Sequence, residues 1–553
     1  MGMFSTTHGG LGISIDVEKE RNPPPPPTPL DFPDYSPDPT IEPPHDGAGD
    51  VLYKLLSTIK KPQDVSAAHL KALNLTTESN VPISDIVPNG ILRSLAPYQW
   101  PEQASTPDTP GTDSMPVPIL MSNGAPFPNK ERYDTLKKEI LYDNDEAFRS
   151  VNRMPPRPGQ ERIKIAHSRK FWGGLDLVSQ YWDTSLDKYV ERPLTDEATE
   201  AHDKALDKMH LDDSTVPENK PDDNDAEIKT ENGEEPPKTS GTKTMYLGRR
   251  VGTGREMPED SREETLRGFM EMIAWAFGCQ TTIPSLPPRL QVKGMLFPVR
   301  QNFVVARSPQ DRQVARKGIL EGPILFVQCR GETSFHDEKS TSNSRYTEIC
   351  DLLRETAAML LFAQERARAG TTEARPGDGK WWTTTPRWGG AENPGPEAEK
   401  ENADSKANPP SDPDAQKSNK RSKYDRPALA FRRPGSSSRK LSMSEKWKIL
   451  QPGPSLWDKK MRYMQIGKDN DSDFDDIFMV SSINHHFSIV HLRIHRHYLE
   501  WLATGNTNFP DDDSSPPWHA IHIRRTKWFD HFNPNDRVEA LDGMWALFSY
   551  LMR

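Results

Sequence analysis

The chain has 553 residues, a net charge of −10 and a hydrophobic fraction of 34%, the last well below the roughly 45–50% of ordinary globular chains. Its 52 prolines also exceed the usual share of about 5%, so ordered blocks must alternate with stretches that cannot offset their chain entropy by burial. The charge balance argues against a uniformly basic nucleic-acid binder, and no apolar run reaches the roughly 18–20 residues of a membrane helix.

Residues 1–50 form a Pro-rich leader, uninterrupted from Pro23 to Pro27, and are expected to be a disordered arm of polyproline II character, a spacer or docking peptide. Met1–Thr6 matches the loose N-myristoylation pattern, but no polybasic segment follows closely, and one acyl chain alone binds membranes marginally. Residues 51–194 begin the core. Val51, Leu52, Leu55, Leu56 and Ile59 share a helical face that Pro62 ends. Pro97–Pro128, with Tyr98, Trp100 and Met121, is expected to pack as an extended arm, and a helix resumes over Arg132–Arg149. Phe171–Trp182 is too apolar for a loop and is a core strand or short helix.

Residues 195–244 turn acidic and polar, a disordered insertion. The central core, 245–390, opens with the glycine-rich Gly248–Gly254, which lacks a phosphate-loop ending; Arg249, Arg250 and Arg255 could bind an anion there, but a turn of solvated arginines is favoured. A helix follows from Arg262, carrying Leu266, Phe269, Met270, Ile273 and Phe277, with Gly278 as its C-terminal cap. Strands are expected at Leu290–Leu296, Pro298–Ala306 and Pro323–Cys329. A long helix, Arg345–Arg368, precedes the dense block Lys380–Gly390. There Trp381, Trp382 and Trp388 with Lys380 and Arg387 either pin a loop to the core, the favoured role, or stack nucleic-acid bases beside phosphate contacts.

Residues 391–443 form a second disordered insertion, acidic and then basic. Its basic half, with Lys417, Lys420, Arg421, Lys423, Arg426, Arg432, Arg433, Arg439 and Lys440, serves as a nuclear import signal or as a solvated linker. Arg439-Lys440-Leu441-Ser442 makes Ser442 a candidate phosphosite that would weaken this basicity. The C-terminal part of the core, 444–553, holds a strand pair, Ile477–Ile483 and Phe487–Ile494, and a helix over Asp536–Met552. The whole is one α+β core of mixed helices and strands, interrupted by two long disordered insertions.

Chemistry is sparse. Cys279, Cys329 and Cys350 are too scattered for a disulfide framework or Cys-rich zinc site, and their apolar settings suggest buried thiols in a reducing compartment. His491 and His495 would share a strand face and could begin a zinc site, but the ligand set is short and Arg493 lies between them, so satisfied histidines are favoured. No catalytic residue, metal ligand or cofactor is assigned.

The order helix, three strands, helix, strand resembles the core of the PD-(D/E)xK nuclease superfamily over about Arg262–Tyr498. The triplet at the place of its D/E-x-K motif is Gln328-Cys329-Arg330. Gln cannot replace an anionic Mg²⁺ ligand, whereas Arg330 could contact a phosphate. Glu264 and Glu271, with Asp311 or Glu321, are candidate replacement acids, and an active centre would require them to cluster about Arg330. Phe171–Tyr181, Arg262–Pro288, Arg345–Gly390 and Trp528–Arg553 together resemble a large family from filamentous ascomycete fungi, a likeness that implies origin and no activity. The leading expectation is a non-enzymatic intracellular interaction or scaffold protein, nuclear or nucleocytoplasmic, with protein partners and no membrane span. The alternative is a nucleic-acid-associated domain with a degenerate or active nuclease-like fold.

Overall fold

The computed structural model describes residues 17, 19–35, 42–44, 47–59, 62–87, 120–193, 242–282, 289–293, 295–299, 301–317, 319–336, 346–367, 462–468, 471–509 and 516–553. Helices and strands are mixed, as an α+β chain requires, and fall into two compact units.

The smaller unit comprises Met1–Thr28 and Asp176–Met257. Strands β2 (Lys188–Pro193) and β3 (Thr242–Leu247) pair antiparallel, from Lys188 opposite Leu247 to Pro193 opposite Thr242. They flank the acidic insertion and hold its ends together. The solvated-arginine expectation for Arg249 and Arg250 is corrected here, because both are buried. Arg249 lies 2.5 Å from Asp176, and Arg250 lies 2.7 Å from Asp187. Arg250 also donates to the Pro25 carbonyl at 2.9 Å, and Arg21 exchanges backbone hydrogen bonds with Tyr246. The Pro-rich leader is therefore tied down over this stretch, which its composition alone did not foretell.

The larger unit comprises Pro29–Leu175 and Pro258–Arg553. It begins with helices α1 (Ala48–Thr58), α2 (Ala67–Ala72) and α3 (Ile83–Ile86), with β1 (Leu75–Glu78) between the last two. The helix expected over Arg132–Arg149 is two, α4 (Lys130–Ile140) and α5 (Asn144–Val151). Asp143 breaks it, its side chain accepting from the Asp145 and Glu146 amides as an N-cap. Phe171–Trp182 lies in a helix, α6 (Arg169–Trp182), which enters the smaller unit after Leu175.

Helix α7 (Glu259–Ala274) passes through a short 3₁₀ turn to Gly278, whose φ of 70° supplies the expected left-handed cap. Four strands follow, β4 (Cys279–Thr282), the hairpin β5 (Arg289–Val292) and β6 (Met295–Pro298), and β7 (Phe303–Arg307). After the short α8 (Arg312–Arg316) come β8 (Ile319–Arg330) and the long α9 (Tyr346–Ala367). The chain ends with β9 (Arg462–Met464), β10 (Phe474–Ile483), β11 (His486–His495), α10 (Arg496–Thr504), β12 (Ile521–Arg525), β13 (Phe529–Asp530) and α11 (Pro534–Leu551).

One sheet organises this unit, in the order β1-β12-β11-β10-β8-β7-β4, with β13 on β11 and β9 on β8. β4, β7 and β8 form an antiparallel meander, while β10 returns parallel to β8 after α9. β11 is antiparallel to both β10 and β12, so β8, β10 and β12 run in one direction; β8 and β10 end level at Arg330 and Ile483, and β12 ends at Arg525, level with Met479. Alternate side chains of β8 feed opposite faces, as the period of a strand demands. Leu325, Val327 and Cys329 join a cluster with α7 and α11, and Phe326 joins one with α9.

Glycines set one helix spacing. A Cβ on Gly268 of α7 would stand 2.6 Å from the Phe171 backbone nitrogen of α6, and one on Gly174 would stand 2.7 Å from the Thr265 Cα. Gly268→Val is expected to cost about 1–3 kcal/mol through forced backbone displacement, seen as a lower urea midpoint. An unchanged midpoint would mean that the helices are not in this contact.

Candidate functional site

Strands β8, β10 and β12 bring their carboxyl ends to one edge, where parallel strands commonly present functional groups. Arg330 ends β8, Ser481 and Ser482 lie near the end of β10, and Arg525 ends β12. Helix α9 supplies Asp351 and Glu355, one turn apart and therefore on one face. Arg330 pairs with Asp351 and, at 2.9 Å, with Glu355, while Arg525 pairs with the other Glu355 oxygen. Ser481 receives from Arg330 and donates to Glu355. Arg354 extends the network to Glu332 at 3.1 Å. Three guanidiniums thus meet three carboxylates, and the cluster is balanced in charge.

A strap from the leader closes it. Asp31 accepts from the His336 amide at 2.9 Å, the Asp34 amide donates to Glu348 at 2.6 Å, and the Tyr35 hydroxyl donates to Asp351 at 2.6 Å. Tyr35 is buried with φ of 29°, a left-handed conformation that a non-glycine residue adopts only under constraint. Its ring lies under the Arg525 guanidinium, 4.1 Å from it, and Trp528 covers Arg525 and Arg330 at 5.3 and 5.8 Å. Burial, then the charges of Asp351 and Glu355, raise the Tyr35 pKa well above its ordinary value, so the phenol stays protonated. Burial opposes the charge on Arg330, and Asp351, Tyr35 and Glu355 outweigh it, keeping the guanidinium charged.

The motif residues expected to carry chemistry fare unevenly. Arg330 is central, but it is buried and internally paired, so the phosphate contact expected of it is closed to a polymer. Gln328 is buried one pleat earlier on the same face. The replacement acids do not gather around them. Glu271 is held by Lys170 at 2.5 Å, Thr281 at 2.6 Å and Arg267 at 2.8 Å, Asp311 caps α8, and Glu321 pairs with Arg307. Glu321 and Arg330 stand near opposite ends of β8, roughly 30 Å apart at about 3.3 Å per residue. Glu264 lies on α7, outside the network around Arg330. Glu263 reaches the motif indirectly: it accepts from Asn302 at 3.0 Å, while Asn302 accepts from the Cys329 amide at 2.7 Å.

Trp381, Trp382, Trp388, Lys380 and Arg387 lie outside the described residues, as do Lys417–Lys440 and Ser442. His491 is bonded to Asp476 at 2.8 Å and to Arg524 at 3.1 Å, and His495 caps α10 through the His497 amide. This pair is used in the fold. Cys279, Cys329 and Cys350 are buried thiols, and burial pushes the Cys279 thiol up to about 12 and the Cys350 thiol to about 11. Among the described residues, one group of donors is close enough to share a metal ion: His485, His486 and Asp530, at the turn between β10 and β11.

Asp351, Glu355, Arg525 and Tyr35 escaped sequence reasoning. One signal was present, two acids spaced i, i+4 among Cys350, Leu352, Leu353 and Ala358 on an otherwise apolar helix. Comparison with known protein families, with curated proteins and with solved structures returns no match. Among the described residues, no helix is long and apolar enough to cross a membrane.

Proposed function

We propose that the chain is a non-enzymatic, intracellular interaction or regulatory subunit, acting in the nucleus or between nucleus and cytoplasm. One observation carries this. At the edge where a nuclease-like sheet would hold its metal-binding acids, Gln328 stands in the carboxylate position, and Arg330 is neutralised by Asp351 and Glu355 under Tyr35. An internally balanced, covered network leaves no charge to activate a nucleophile. The nuclear placement rests on the basic sequence Lys417–Lys440.

A second interpretation, a nucleic-acid-associated domain with a degenerate nuclease-like core, is favoured by the meander β4-β7-β8 followed by α9 and the parallel strand β10. Purifying the tagged full chain from cell extract with and without nuclease treatment separates the two. Stoichiometric protein partners that survive the treatment are the expected result. Partners that vanish with it would favour nucleic-acid association. Mg²⁺- or Mn²⁺-dependent cleavage of plasmid DNA that Arg330→Ala abolishes would overturn the non-enzymatic interpretation.

A further inference from the structure

The turn between β10 and β11 places two adjacent histidines against a carboxylate from another strand. Asn484, with φ of 53°, makes the turn, and its amide donates to the Arg330 carbonyl at 3.0 Å. His486 begins β11, and its backbone is paired with Asp530 of β13. The Nε2 atoms of His485 and His486 each lie 4.0 Å from an Asp530 oxygen, one imidazole to each oxygen. Those separations exceed a hydrogen bond, so the rings and the carboxylate do not satisfy one another directly. Their ring centroids are only 4.2 Å apart, so both nitrogens approach the same carboxylate.

We infer that His485, His486 and Asp530 form a binding site for a divalent transition ion of the zinc class. Two imidazoles and one carboxylate are the donor set of three-ligand sites that keep further positions open. Donors about 2.0–2.1 Å from a tetrahedral ion stand roughly 3.3 Å apart, and the three donor atoms lie within 4.8 Å of one another, so side-chain rotations of up to about one ångström close the site. The cluster is prepared in two respects. Phe532 lies 5.0 Å from the His485 ring and Phe32 lies 4.9 Å from the His486 ring, fixing their planes. Asp530 is oriented by the Phe532 amide, which donates to its Oδ1 at 2.8 Å.

Access is also provided. The side-chain exposures of His485, His486 and Asp530 are 10%, 16% and 31%, a gradient opening towards the carboxylate, where water could complete the coordination. The site is separate from the Arg330 cluster and makes no use of the nuclease-like motif. An ion here would join the β10–β11 turn to β13.

The test uses the full chain, stripped with a chelator and titrated with Zn²⁺ by calorimetry and with Co²⁺ by visible absorption. One equivalent should bind, with Co²⁺ giving the d–d bands of an ordered site and with the thermal midpoint rising on addition. His486→Ala and Asp530→Asn should each weaken the affinity at least tenfold and abolish the bands. Asp530→Asn retains an oxygen for the Phe532 amide, so it remains informative if His486→Ala fails to fold. His522→Ala, at a half-exposed histidine of β12 outside the cluster, should leave the Zn²⁺ affinity and the Co²⁺ bands unchanged. Absence of saturable binding, or an affinity unchanged by Asp530→Asn, would overturn the proposal.

Discussion

Glu355→Ala should destabilise the protein by about 3–5 kcal/mol, the usual cost of removing one partner from a buried ionic network. Glu355 is fully buried, and its two oxygens serve different cations. One lies 2.9 Å from Arg330 and accepts from Ser481, and the other accepts from Arg525. Arg330 keeps Asp351 when Glu355 is lost, whereas the Arg525 side chain has no second carboxylate partner among the described residues. The larger share of the cost therefore falls on Arg525, stranded between Tyr35 and Trp528. A double variant, Glu355→Met with Arg525→Met, should recover at least about 2 kcal/mol of the loss, because apolar replacement of both charges removes the unpaired ion along with the pair. Urea denaturation of the two variants and wild type decides the matter. Equal losses in the single and double variants would show that packing of the side-chain stems, rather than the unpaired charge, sets the cost.

Legibility in the sequence followed the origin of each interaction. Local periodicity exposed the helix that proved to be Tyr346–Ala367, the helix stopping at Gly278, the strand pair joined through Asn484-His485, and the closing helix at Pro534–Leu551. Each depends on residues within a few positions of one another. The edge cluster was hidden because its members are distant in the chain: Tyr35 meets Asp351 across 316 residues, and Arg525 meets Glu355 across 170. Polarity misled in the same way at Arg249 and Arg250, whose partners Asp176 and Asp187 lie far upstream of them. The motif triplet contains Arg330, which sits in the edge cluster paired with acids rather than open to a phosphate, whereas Glu271 and Glu321 face separate neighbours. His485 and His486 were visible as histidines, but Asp530 joins them only through the pairing of β13 with β11.

Glu139→Gln is the second change expected to have a large effect, about 2–4 kcal/mol at neutral pH. The Glu139 carboxylate is buried and accepts backbone donors from a single turn of chain. Oε1 accepts from the Ala166 amide at 3.0 Å, while Oε2 accepts from the Ser168 amide at 2.8 Å and the Ser168 hydroxyl at 2.6 Å. The His167 amide reaches both oxygens, at 3.2 and 3.0 Å. A glutamine retains one acceptor and turns an NH₂ towards donors that then have no partner, and each charge-assisted bond is worth about 1.5–3 kcal/mol. Burial raises the Glu139 pKa, and the bonds from Ser168, Ala166 and His167 outweigh it, leaving the carboxyl below its ordinary 4.5. A depressed folded-state pKa means that the unfolded chain takes up the proton first as pH falls. This contribution is therefore fully present above about 4.5 and is lost as pH drops through the lowered folded value. The difference between wild type and Glu139→Gln should accordingly be constant from pH 7 to about 5 and narrow below about 4. Urea midpoints at pH 7, 5 and 3.5 measure it, and a gap that widened on acidification would mean that the folded carboxyl is protonated more readily than the unfolded one.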